Sequence, residues 1–199
     1  AVEPLLDNQA PHHGMVPRTV VGDQAVIDGE RRRILAERKI EAVGKVAIQR
    51  PGGRYAKADF DVDLERGTVR CPAGHTVPKG KERRDKQGRV GLLFTFPRQR
   101  CQDCPQRDQC TTVQRTGRTV RLHPQEALLQ AAREEQEKKG FKERYSHPRS
   151  TVERVISHLV RHGFRQARYF GAAKTLFQAL WSAAAVNLQR LMSLMSGRK

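Results

Sequence analysis

The sequence lacks any uninterrupted apolar run of ~20 residues, the length a helix needs to cross a bilayer, which argues against a membrane-spanning chain. It lacks a basic stretch followed by a long apolar one near its start, so no signal peptide is expected. It opens Ala1-Val2-Glu3-Pro4 with no initiator Met, as a fragment or an interior start would. Internal repeats and low-complexity tracts are missing, which argues against a repeat architecture. Apolar residues make up only 37% of the 199, enough for one domain with a modest core, or one domain with a sizeable insertion. Acids are scarce: 21 Asp+Glu stand against 38 Lys+Arg, a formal charge of +17. A soluble chain that basic points to a polyanion, because each phosphate it neutralises releases counterions. Nucleic acid is the expected partner, with an anionic membrane surface as the rival.

What is present is an ordered alternation of elements. Thr19-Val20-Val21, a β-branched run after Pro17, predicts a buried strand. Asp28 or Gly29 opens a helix through Arg38 with Ile34 and Leu35 facing inward, and residues 42–46 predict the next strand. Strand, helix, strand predicts a parallel βαβ unit. Residues 2–9 read as a helix end broken by Pro11 and Gly14, and His12 and His13 as solvated loop residues. From about Gln49 to Leu122, Gly, Pro and charges dominate. Short strands are expected at 59–62, 68–70 and 92–96, with little core to hold them. Helices return at 125–139, then from Pro148 or Arg149 to His162, then at 172–195. The last two carry apolar stripes: Val152, Val155, Ile156 and Leu159 on one, and Leu176, Phe177, Leu180, Trp181, Ala184, Leu188, Leu191 and Met195 on the other. Both stripes are expected to face inward and pack on the sheet, with Phe177 and Trp181 as core residues.

Two carboxylates stand out by position. Asp23 follows the first strand, at the carboxyl edge where open α/β sheets place their sites, although a turn or capping Asp is as common there. Glu153 is one of only two acids between Phe141 and Lys199, against eleven Lys+Arg. The plain alternative for Glu153 is an i,i+4 ion pair with Arg149.

All four cysteines, Cys71, Cys101, Cys104 and Cys110, fall in the Gly/Pro-rich middle. Cys101 and Cys104 form a C-x₂-C pair, and Cys71 with His75 offers ligands from elsewhere in the chain. Four thiolates, or three with His75, would make a closed structural Zn²⁺ site, and the alternative is free or partly oxidised thiols. An iron–sulfur cluster is disfavoured because no fourth Cys lies close to the other three. No base is paired with any of them, so no catalytic role is expected.

The run from Arg149 through Glu153 to Arg161, followed by Gly163-Phe164-Arg165-Gln166-Ala167-Arg168-Tyr169-Phe170-Gly171-Ala172-Ala173-Lys174, resembles the C-terminal signature of bacterial insertion-sequence DDE transposases. The likeness continues through Gln178-Ala179-Leu180 and residues 183–188. In that signature Tyr precedes an Arg and a Glu, with three residues between the last two. Arg149 and Glu153 match that spacing. Tyr145 stands one residue further upstream than the family pattern, and Arg161 replaces a later Lys one place further on. Thr19-Val20-Val21-Gly22-Asp23 is similar to the strand bearing the family's second catalytic Asp, without the Tyr that usually follows. Cys71-Pro72-Ala73-Gly74-His75 and Cys101-Gln102-Asp103-Cys104-Pro105 resemble a cysteine-bearing insertion found in some of these enzymes.

The resemblance implies an α/β fold, a partial RNase H-like one, with a short parallel sheet packed by C-terminal amphipathic helices and a small β-rich cysteine-containing insertion. It implies a partial core over residues 1–48, the insertion over 49–122, and a helical part over 123–199. It implies Asp23 and Glu153 as ligands of Mg²⁺ or Mn²⁺, and Arg149, Arg154, Arg161, Arg165, Arg168 and Lys174 as contacts to insertion-sequence ends and target DNA. The first Asp of the triad has no counterpart upstream of Asp23, so the chain alone is expected to cleave little. A cytoplasmic, nucleoid-associated protein is implied, with a homo-oligomer left open. A non-catalytic DNA-binding remnant stapled by zinc is the alternative, and a basic interaction protein without nucleic acid is a third.

Overall fold

The computed structural model describes residues 2–86 and 88–197, without the side chains of Ala10, His13 and Pro51. The chain forms two compact units, Ala1–Phe141 and Lys142–Lys199.

The first unit opens with helix α1 (Val2–His13), which runs through Pro11. His12 therefore belongs to a helix end and not to a loop, and is exposed. The side chain of His13 lies outside the described residues. Strand β1 (Thr19–Val21), helix α2 (Gly29–Glu37) and strand β2 (Glu41–Val43) follow, and the two strands pair in parallel with Val20 opposite Ala42. The βαβ expectation holds, although β1 is half-buried to exposed where a buried strand was predicted. Asp28 caps α2, its carboxylate accepting the Arg31 N–H at 2.9 Å. The helix ends on Lys39 at φ +58°, the one non-glycine described residue in the left-handed region. Ile27, Leu35, Ile40 and Val43 fill the interior. A Cβ on Gly44 would meet the Gly22 carbonyl at 3.0 Å, so the backbones after the two strands approach closely. Buried Arg32 clamps this layer, donating to the carbonyls of Ala42 (3.2 Å) and Gly44 (2.6 Å). Strand β2 stops short of the predicted Val46, whose backbone amide and carbonyl bond the Gln136 side chain instead of a ladder.

Two antiparallel sheets occupy the middle of the chain. Strands β3 (Asp61–Asp63), β4 (Thr68–Arg70) and β5 (Thr76–Val77) form one. Strands β6 (Lys81–Arg84), β7 (Val90–Thr95) and β8 (Thr119–Leu122) form the other, with Phe94 opposite Val120. Short helices α3 (Arg98–Gln102) and α4 (Arg107–Cys110) sit between β7 and β8. The expectation of a region with little core is corrected. Phe60, Val69, Val77, Phe94, Phe96, Val120 and Leu122 form one buried cluster. Alternation along β7 and β8 and the apolar residues flanking them supply it.

Helix α5 (Glu126–Glu137) closes the unit. Glu126, only 3% exposed, takes Lys57 Nζ at 2.5 Å, both Arg133 terminal nitrogens at 3.1 Å and the His123 N–H at 3.0 Å. A buried carboxylate is tolerable only when paired this fully.

The second unit is a helical pair. Helix α6 (Phe141–Leu159) begins seven residues before the predicted start and runs through Pro148. A π turn over Val160–Phe164 ends it, with Gly163 at φ +86° reversing the chain. Helix α7 (Ala172–Met195) has the predicted limits. Gln178 is the latch: its amide oxygen accepts the Arg168 N–H at 2.9 Å, and its nitrogen donates to the carbonyls of Gly163 and Gln166, both at 3.0 Å. Ser182 adds a bond to the His162 carbonyl. Gln178 and Ser182 are thus the buried residues of α7, and the apolar stripes are not. Val152 is 57% exposed and Trp181 71%, with Leu176, Leu180, Leu188 and Leu191 comparably open. Within the helical unit both stripes are thus left open, and neither helix buries its stripe against the other. The polar latch draws the helix against its own connecting turn, and the stripe points elsewhere.

Candidate functional site

Asp23 lies just past β1, separated from Val21 by Gly22, at the carboxyl end of the parallel pair. Its Oδ1 accepts the N–H groups of Ala25 (3.1 Å) and Val26 (3.0 Å), an Asx turn that fixes the carboxylate on the backbone. The group is exposed, and among the described residues its Oδ2 has no hydrogen-bond partner. A rigid, open carboxylate oxygen is the hard donor that Mg²⁺ or Mn²⁺ accepts.

Glu153 lies on α6 in a row with Tyr145 and Arg149, one helical turn apart each. Arg149 donates to Glu153 Oε1 at 3.2 Å and to the Tyr145 hydroxyl at 2.5 Å, its guanidinium 5.1 Å from the Tyr145 ring centroid. The glutamate carboxylate and then the tyrosine push the Arg149 guanidinium above its ordinary range, so its charge is fixed at any working pH. The extra residue between Tyr145 and Arg149 makes that spacing i,i+4, which brings the tyrosine onto the face that Arg149 and Glu153 share. Glu153 remains well exposed, so the ion pair itself contributes little stability.

The other basic candidates are exposed around the turn and helix ends: Arg154 on α6, Arg161 in the π turn, Arg165 and Arg168 in the connection, and Lys174 in the first turn of α7. Phe177 and Trp181 stack at 6.5 Å between ring centroids on the open face of α7. Asp23 belongs to the first compact unit and Glu153 to the second.

The four cysteines, Cys71 being remote in sequence from the other three, line a single cavity together with His75. Cys71 stands at the exit of β4, where its N–H bonds the His75 carbonyl at 2.8 Å around a turn with Gly74 at φ +87°. Cys101 comes from α3, Cys104 from just beyond it and Cys110 from α4. All four are half-buried, and Cys71, Cys101 and Cys110 pack against the apolar cluster. Burial pushes the Cys110 thiol up, the Arg118 guanidinium draws it down, and negative charge on the other three would raise it again. Among the described residues, no three His, Cys, Asp or Glu side chains stand grouped as the ligands of one metal ion.

Reading the sequence missed Arg118. It donates to the carbonyls of Cys110 (3.1 Å) and Tyr55 (2.9 Å), stacks 5.5 Å from the Phe60 ring centroid, and leaves its buried Nε without a partner. One arginine in so basic a chain carries no local mark of burial. Glu126 and Arg32 were missed for the same reason, and Gln178 entered only as part of a motif.

The chain is thus mixed α/β, with a strand-end carboxylate in one unit and a helical unit rich in Lys and Arg. A family model described as a transposase DDE domain matches residues 70–192, more than half of the chain. The chain belongs to that family. The matched residues include Glu153 and all four cysteines, and they begin downstream of Asp23. No curated relative and no solved structure matches. No described helix is long and apolar enough to cross a membrane.

Proposed function

We propose that the chain serves DNA transposition, binding insertion-sequence DNA through the basic surface of residues 142–199 and contributing Asp23 and Glu153 as carboxylate ligands of Mg²⁺ or Mn²⁺. The observation that carries this reading is the Tyr145–Arg149–Glu153 row inside the family match, an acid held in place on a helix otherwise rich in arginine. When bound, such ions supply an activated nucleophile and neutralise the leaving oxygen at a phosphodiester. The protein's share is positioning. The Asx turn holds Asp23, and Arg149 holds Glu153. Arg154, Arg161, Arg165, Arg168 and Lys174 fix the DNA backbone by phosphate contacts, which set register without reading sequence.

Replacing Mg²⁺ by redox-active Fe²⁺ tests the ligand assignment without requiring turnover. Hydroxyl radicals generated at the bound iron are expected to cut the polypeptide beside Asp23 and beside Glu153, and Asp23→Asn or Glu153→Gln to abolish the cuts. Tight DNA binding that ignores divalent metal, with no localised cutting, would instead favour the non-catalytic DNA-binding remnant.

A further inference from the structure

We propose that Cys71, Cys101, Cys104 and Cys110 form a structural tetrathiolate site for one Zn²⁺ per chain, with His75 outside the ligand set.

Convergence is the first ground. Three separate segments, the β4–β5 turn, α3 with its exit, and α4, bring every cysteine of the chain to one cavity. The segments themselves are poorly held by secondary structure: α3 has five residues and α4 four, and the β4–β5 turn is a tight loop at Gly74. A metal cross-link closing loops of this length stabilises such segments strongly.

Electrostatics is the second. A Zn²⁺ with four thiolates carries net charge −2, and the cavity is lined by Arg100, Arg107 and Arg118. The Arg118 backbone N–H already bonds Cys101 Sγ at 3.4 Å, the amide-to-sulfur contact that favours a thiolate over a thiol. The buried, unpartnered Arg118 Nε shows the guanidinium held beside the thiols with donor capacity to spare. A Cβ on Gly117 would lie 2.0 Å from the Phe96 carbonyl and 3.2 Å from Cys101 Sγ, so the backbone is threaded against the sulfur where a larger residue cannot fit.

Ligand chemistry is the third. No carboxylate lines the cavity, so the donor set is soft, which selects zinc over Mg²⁺ or Ca²⁺. His75 also lines the cavity, but four thiolates already complete a tetrahedral set without its ring. Among the described residues no three of these side chains already stand grouped as the ligands of one ion, so the thiols have to close on the metal as it binds. Binding converts four thiols and Zn²⁺ into the tetrathiolate complex with release of four protons, and no oxidant is consumed.

The test uses the whole chain purified under reducing conditions with zinc present. Elemental analysis is expected to give one zinc per chain. Exchange for Co²⁺ is expected to give tetrahedral ligand-field bands with sulfur-to-cobalt charge transfer. All four thiols should resist a thiol reagent until a chelator is added, and His75→Asn should leave stoichiometry and spectrum unchanged. Cys104→Ser should lose the stoichiometric metal; the wild-type Co²⁺ spectrum decides the matter should that variant fail to fold. Four freely titrating thiols without metal, disulfides by intact mass, or iron with acid-labile sulfide would each overturn the proposal. Because no readout involves DNA, its failure leaves the transposition reading untouched.

Discussion

At the scale of single residues, the structure is held by polar side chains more than its composition suggests. Gln178 makes three hydrogen bonds to the backbone of residues 163–168, each worth about 1 kcal/mol net. Gln178→Ala is expected to destabilise the helical unit by about 2–3 kcal/mol, read as faster amide exchange at Arg168 and a lower urea midpoint. Glu126→Gln should cost more, about 3 kcal/mol, because Lys57 and Arg133 lose their shared counter-charge in a mostly buried setting. Unchanged thermal stability in that variant would show that the two cations find water instead. Such residues were not legible in the sequence. Glu126 and Gln178 sit on helices whose other polar residues are solvated, and nothing local distinguishes a buried polar residue from its neighbours. Asp23 was legible, since its place after a β-branched run puts it just past a strand end.

At the scale of elements, strand β1 and helix α7 were read to the residue, because each is bounded by strong signals: Pro17 and Gly22 around one, Gly171 and Gly197 around the other. Helix α6 was started too late because Pro148 was taken as a first-turn proline. The helix carries it internally, at the expense of a backbone donor. Lys39 ends α2 in a left-handed conformation that costs a non-glycine residue about 1 kcal/mol. Lys39→Gly is therefore expected to raise the stability of the first unit by up to about 1 kcal/mol, seen as a higher denaturation midpoint at unchanged slope.

The joint between β8 and α5 titrates. Burial first, then the charge of Arg89, holds His123 below its ordinary imidazole range. The folded state thus binds fewer protons than the unfolded one just below the unfolded value of about 6.5. The stabilisation is complete above that value and is lost as pH falls through the folded one. Stability should decline on acidification in that window, and His123→Gln should flatten the decline. A slope unaltered by the substitution would place the titrating group elsewhere.

At the scale of the whole molecule, charge governs behaviour. If the five basic residues assigned to phosphate contacts each neutralise one phosphate, affinity should drop about 500-fold between roughly 50 and 200 mM salt. Each substitution among Arg154, Arg161, Arg165, Arg168 and Lys174 should lower the logarithmic salt slope by about one. A slope that stays near zero would remove DNA from the account. The sequence disclosed this basic character at once, and it disclosed which helix faces are apolar. What it could not disclose is whether those faces are covered, because amphipathicity records a preference for burial and says nothing of what supplies the cover.

That open stripe also bears on the life of the chain in a cell. Helix α7 carries Phe177, Trp181, Leu188 and Leu191 outward. Exposed apolar side chains in series are what chaperones hold and quality-control proteases seize, and they drive self-association at high concentration. Substituting Leu188 and Leu191 by polar residues is therefore expected to lengthen the half-life of the protein, read by pulse-chase in cells, and an unchanged half-life would show that the stripe is not what marks it for degradation.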